Sequence, residues 1–123
     1  MSRVEGPKRT FTAGEDLEAK RLFKIESGTT ADPPEIVYCD AGETPDGITE
    51  VPADEGDLIV GRLLNAEGTF DIECAIGSAI ARGDDLYPAD DGKVSEVAVG
   101  TALFKSMQAP TADGEVIECL KKP

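Results

Sequence analysis

The sequence contains no histidine and no tryptophan. Without imidazole there is no usual zinc site, no Ser-His or Cys-His nucleophile pair, and no side chain whose ordinary pKa suits general base catalysis near neutrality. Cysteine is scarce. Cys39, Cys74 and Cys119 form an odd, widely spaced set with no Cys-x-x-Cys. Each lies in an apolar run, so buried, reduced thiols are expected. No apolar run reaches the roughly 18 residues of a membrane span, and the opening MSRVEGPKRT lacks the apolar core of a secretion signal. The chain is therefore expected to be made in a reducing cytoplasm.

Positive charge is the next scarcity. Twelve Lys and Arg stand against 25 Asp and Glu, for a net charge of −13. The balance is uneven: residues 1–24 hold six of the bases, among them Arg3, Lys8 and Arg9, against four acids. The remainder is strongly anionic, which disfavours binding to nucleic acid or to an acidic membrane surface. An acidic body with a less acidic N-terminal region is one reading, and a soluble protein that repels its own copies is the other.

Aromatics are few, four Phe and two Tyr. The 40% apolar content nonetheless permits one core in 123 residues, built on Val, Ile, Leu and Ala. Phe23, Leu58, Val60, Leu63, Phe70, Ile72, Leu86, Val94, Leu103, Phe104 and Ile117 are the expected core positions.

What is present is strand after strand. Residues 1–16, with Gly6-Pro7 and Gly14, read as an extended polar arm. Two readings of 12–25 stay open. Thr12-Ala-Gly-Glu15 matches a capping box opening a helix, and Leu17, Ala19, Arg21, Phe23 and Ile25 alternate as a strand over 17–26. The strand is favoured because every later segment also reads as one: 35–39, 47–51, 57–64, 68–76, 85–89, 93–97, 101–107 and 115–120. Gly61 within 57–64 marks a bulge or a close backbone approach. Asn65-Ala-Glu-Gly68 is read as a tight turn joining 57–76 into a hairpin. Asp90-Asp91-Gly92 joins 85–89 to 93–97, with Gly92 as its left-handed residue, and 109–114 joins the last two strands. The expected fold is mainly β, a small single-domain β-barrel or β-sandwich with an extended N-terminal arm.

Carboxylates are the obvious chemistry to test. Asp40, Glu43, Asp46, Glu50, Asp54, Glu55 and Asp57 fall in a stretch with no Lys or Arg. Their spacing does not match a twelve-residue calcium loop, so a solvated rim is expected, with a cation site as the alternative. The pairs Asp84–Asp85 and Asp90–Asp91 sit beside Gly and Pro, where water keeps both members ionised and turn carboxylates bond their own backbone. Arg82-Gly83-Asp84 reads as a turn in which Gly83 supplies positive φ. No catalytic, cofactor-binding or metal-binding residue is assigned, and no enzyme is expected.

The pieces AIARGDDLYPADDGKV (79–94), VGTALFKSM (99–107) and ADGEVIECL (112–120), in this order, resemble the capsid decoration, or cement, proteins of tailed bacteriophages. The resemblance spans roughly residues 17–120. It implies a non-enzymatic protein without cofactor, synthesised in the bacterial host cytoplasm and located on the virion exterior. It also implies a homotrimer at three-fold and quasi-three-fold sites that binds the major capsid protein and stabilises the expanded head against DNA pressure. In that setting residues 1–16 are the capsid-binding arm, with Lys8, Arg9, Thr10, Phe11 and Thr12 as contact residues, and 17–123 are the β domain. The alternative is a small acidic β-barrel that binds a ligand or cation.

Overall fold

The computed structural model describes residues 8–28, 30–64, 69–75, 79–112 and 114–122. Among them there is no α-helix; the one helical turn is a 3-10 turn at Asp90–Gly92. Five strands close a barrel: β1 (Lys8–Ala13), β2 (Leu22–Ile25), β3 (Glu35–Tyr38), β4 (Gly47–Thr49) and β5 (Leu58–Leu63), in the order β1-β3-β2-β4-β5. The seam is the antiparallel β1–β5 pair, which runs from Lys8↔Arg62 to Thr12↔Leu58. On its other side β1 meets β3 in parallel, at Thr12↔Glu35 and Ala13↔Ile36.

The barrel lumen is filled by Phe11, Ala13, Leu17, Phe23, Ile36 and Ile59. Phe11 and Phe23 lie 5.2 Å apart in a tilted pair, a geometry that ring quadrupoles favour. Phe23 rests on two glycines. A Cβ added at Gly47 would meet its ring at 2.4 Å, and one at Gly61 would meet it at 2.6 Å. The close backbone approach expected at Gly61 is therefore real.

The other five strands are β6 (Thr69–Glu73), β7 (Asp85–Pro88), β8 (Val94–Ser95), β9 (Phe104–Ser106) and β10 (Val116–Lys121), in the order β6-β10-β9-β7-β8. This sheet curls until Cys74, just past β6, bridges Val94 of β8 in parallel. Its inner face packs on the outside of the barrel. Leu22, Ile48 and Leu64 share one buried cluster with Phe70, Ile72, Leu86, Val94, Phe104 and Ile117. The β7–β8 hairpin forms as expected across Asp90-Asp91-Gly92, with Asp91 at φ 61° and Gly92 at φ 75°. β9 and β10 pair antiparallel as expected.

Several expectations are corrected. The 57–76 hairpin does not form: β5 is paired on both sides, by β1 and β4, which leaves no edge for β6, and β6 pairs with β10. Residues 65–68, the expected turn, lie outside the described residues. The helix reading of Thr12-Ala-Gly-Glu15 fails, and the strand over 17–26 shortens to 22–25 because Lys20 takes φ 64°. Leu58 and Val60 are not core; they are 64% and 42% exposed. Strand side chains alternate with period two, so Gly61 turned in under Phe23 brings Ile59 in and sends Leu58 and Val60 out. Residue 76, the end of the expected strand 68–76, also lies outside the described residues. The 1–16 arm is extended where described, but it is no free arm. Residues 8–13 form a barrel strand with Phe11 and Ala13 in the lumen, so removing residues 1–14 takes a stave from the barrel.

Cys39, Cys74 and Cys119 are buried free thiols, as expected. Burial pushes the thiols of Cys39 and Cys119 up to about 12 from 9.0. The unfolded chain thus ionises these thiols first, and stability is lost as pH rises from about 9 towards 12. In the same way, a thiol reagent at neutral pH is expected to label the native protein slowly and the urea-unfolded protein at once; rapid native labelling at these two positions contradicts their burial. Gly61→Ala is expected to cost about 1–3 kcal/mol by overpacking against Phe23. Phe23→Leu in the same chain recovers part of that loss, which paired urea titrations measure.

Candidate functional site

The expected contact residues divide sharply. Lys8, Arg9 and Thr10 are exposed on β1. Phe11 is 1% exposed and unavailable to a partner. Thr12 is half-buried, and its hydroxyl donates to the Pro33 carbonyl at 2.8 Å. Sequence reasoning missed what lies beside them. Across the seam Thr10 stands opposite Val60 and Thr12 opposite Leu58, so the outward face of the β1–β5 ribbon carries two exposed branched apolar side chains with Lys8 on the same face, while Arg9, opposite Gly61, projects from the other side of the ribbon. Among the described residues neither Lys8 nor Arg9 enters a salt bridge. Arg62, opposite Lys8, turns to the second sheet, its guanidinium 4.2 Å from the Phe70 ring centre and its Nη1 donating to the Thr69 carbonyl at 3.0 Å.

The carboxylate pairs are turn fasteners. Asp84 accepts from the Ala81 amide at 2.8 Å and Asp85 pairs with Lys122 at 3.1 Å. Asp90 accepts from the Ala41 amide at 3.1 Å, while the Asp91 amide donates to Asp40 at 3.0 Å. Gly83 of the Arg-Gly-Asp tripeptide has φ 90°, as a turn requires. The acid-rich stretch 40–57 is mostly solvated, and among the described residues no three His, Cys, Asp or Glu are gathered closely enough to hold a metal ion. Within it Glu43 is pulled below the ordinary carboxylate range, and Lys24 is raised, by their mutual hydrogen bond at 2.6 Å.

One polar constellation is buried. Arg21 is 6% exposed and lies where the barrel meets the second sheet. Its Nε and Nη2 donate to the two Glu73 carboxylate oxygens at 3.1 and 3.3 Å, a bidentate pair, and Nη1 donates to the Asp91 carbonyl at 3.0 Å. The Tyr38 ring lies 5.4 Å from the guanidinium, and Lys93 adds a second cation to Glu73 at 3.7 Å. This is a strut between β2, β6 and the 90–92 turn rather than reactive chemistry, because each donor has a fixed acceptor.

Two open grooves flank it. The larger, about 560 Å³, is lined by Asp16, Glu18, Arg21, Tyr38, Asp54 and Lys93 among others. The smaller, about 360 Å³, has walls of Ala41, Ala75, Pro88 and Ala89 with Val97 and Val99 at its lip. Its Ser95 hydroxyl already accepts from the Val97 amide at 3.0 Å.

No protein-family model matches the chain, and no curated protein matches it. A solved structure does. The chain shares its fold with the N base of head fiber gp8.5 in bacteriophage phi29. The TM-score is 0.78 at 21% identity, over 94% of this chain and 93% of that one. Near-complete coverage on both sides means that barrel and curled sheet match together, as one unit.

Arg21→Met is expected to cost about 2–3 kcal/mol, because it leaves the Glu73 carboxylate poorly paired at a partly buried site. Lys24→Ala, which breaks an exposed pair with Glu43, is expected to leave the urea midpoint nearly unchanged. Equal losses in the two variants contradict the strut.

Proposed function

We propose that the chain is a non-enzymatic structural protein of a tailed phage, carried on the outside of the head. The observation that carries this reading is the shared fold with a phage head fiber base along nearly the whole of both chains. The acidic body supports the exterior, since packaged DNA repels it. In the finer form of the proposal the protein is a cement. It trimerises at three-fold and quasi-three-fold sites, binds the major capsid protein and holds the expanded shell against DNA pressure. Lys8, Arg9 and Thr10 are the members of the expected contact set that remain exposed for this. Three linked copies hold better than one, because later contacts form at high effective concentration.

A second reading, an acidic module for a small cationic ligand, is favoured by the larger groove, which Asp16, Glu18, Asp54 and Asp91 help to line. One experiment separates the two. The purified chain is mixed with expanded heads of the phage that encodes it and sedimented. The cement reading predicts saturable co-sedimentation and heads that release DNA at a higher temperature. A chain left in the supernatant, with tight calcium or amine binding by calorimetry, overturns it in favour of the second reading.

A further inference from the structure

Resting on that reading, we propose that the shell adds a strand to this protein. An extended segment of the head pairs, main chain to main chain, with the open edge of β1 at Lys8 and Thr10.

The register locates that edge. Backbone groups alternate between the two sides of an antiparallel strand. The Ala13 amide donates to the Asp57 carbonyl at 2.8 Å, so Arg9, Phe11 and Ala13 turn their N–H and C=O groups to the β5 side, while Lys8, Thr10 and Thr12 turn theirs the other way. That other side belongs to β3, and the Thr12 amide donates to the Pro34 carbonyl at 2.9 Å. The ladder ends there. The next rung of the β1–β3 register falls between the Thr10 carbonyl and the nitrogen of Pro34, which has no N–H to give. The Thr12 hydroxyl, on the Pro33 carbonyl at 2.8 Å, holds the two prolines in place. Among the described residues nothing bonds the main chain of Lys8 or Thr10 on this side.

Two observations separate this edge from an ordinary solvated strand end. The barrel caps other rungs that run past a neighbouring strand with carboxylates. The Ile25 amide, beyond the start of β4, donates to Asp46 at 2.8 Å, and the Tyr38 amide, on the β1 side of β3, donates to Glu15 at 2.9 Å. Lys8 and Thr10 receive no such cap in a chain with 25 Asp and Glu. The edge is also reachable and rigid. Lys8, Arg9 and Thr10 are exposed, and β1 is held to β5 continuously from Lys8 to Thr12, so docking orders little of this backbone. Alternating donors and acceptors along a strand edge are matched by another extended polypeptide, whereas a phosphate polymer or lipid headgroup offers acceptors alone. A second copy of β1 is a poor occupant. Paired edge to edge, two copies set Lys8 and Arg9 against Lys8 and Arg9, and like charges opposite each other destabilise a ladder. The occupant that remains is a strand of the shell, beside β1 in the place that β3 leaves open.

The test uses the full chain and the heads named above. Thr10→Pro removes the outward N–H at a position whose N–H β5 does not use, and sets a ring on the edge. Thr10→Ala keeps the main chain and removes only side-chain atoms. Matching urea midpoints establish that both variants are folded. Thr10→Pro is expected to weaken head binding at least about tenfold, and Thr10→Ala to leave it nearly unchanged. If the wild type and Thr10→Pro bind equally well, the proposal fails while the head-exterior reading stands. Equal loss in both variants makes the contact one of side chains and also overturns it. Hydrogen exchange on the wild type, read over overlapping peptides, needs no variant. The Thr10 amide is expected to exchange fast in the free chain and at least about tenfold more slowly on heads, with the Arg9 and Phe11 amides slow in both. A Thr10 amide already protected in the free monomer means that the chain covers its own edge. Protection that arises on self-association, without heads, means that copies pair there. Either result refutes a shell strand. A wild type that never binds heads removes the functional reading and this proposal together.

Discussion

The structure turns on one aromatic ring seated on two missing side chains. Phe23 occupies the space that Cβ atoms at Gly47 and Gly61 would need, and its neighbour Phe11 completes the lumen from the opposite side of the seam. In a chain with four phenylalanines and no tryptophan, this contact sets how narrow the barrel is. Glycine elsewhere in a strand weakens it. Here it admits the ring, and the closed hydrogen-bond ladder leaves barrel strands β1 and β5 bound to each other without an edge along the seam. From Gly61 outward the consequences are geometric. Ile59 goes in, Leu58 and Val60 go out, and the seam register sets the exposed apolar pair opposite Thr12 and Thr10.

The second constraint joins the two halves. The barrel has an apolar exterior patch at Leu22, Ile48 and Leu64, and the curled sheet covers it with Phe70, Ile72, Phe104 and Ile117. Apolar burial of this kind is strong but not directional. Arg21 supplies the direction: its bidentate pair with Glu73 and its bond to the Asp91 carbonyl tie the entry of β2 to the end of β6 and to the 90–92 turn. A planar guanidinium suits this, since its fork meets a carboxylate at a fixed angle where a lysine would only supply charge.

Much of this was legible in the residues. Pro, Gly and Asp punctuation located the later strands and the β7–β8 hairpin, and the cysteines were read as buried thiols. The failures share a physical cause. Alternation identifies a strand but not which of its faces is the core, and a barrel strand covered on both sides has no polar face to reveal the phase. Leu22 and Phe23 are neighbours and both fully buried, one under the sheet and one in the lumen. In 57–64 both faces carry apolar residues although only one of them is covered around 58–60, so residue type alone does not give the phase. Pairing was the other blind spot. Asn65 to Gly68 looks like a hairpin turn locally, yet β5 was already saturated by partners from 8–13 and 47–49, which no local pattern records. The polar opening residues hid a strand because only Phe11 and Ala13 of 8–13 are buried.

For function, the sequence offered no reactive constellation, and the fold it adopts is shared with a protein of a phage head fiber. The proposed place on the head exterior rests on that shared fold and on the anionic body. The most direct measurement is a cryo-EM map of the encoding phage's mature head. The account predicts density for this chain on the outer surface of the head. Density on the inner surface, or a head with no density for this chain, contradicts it.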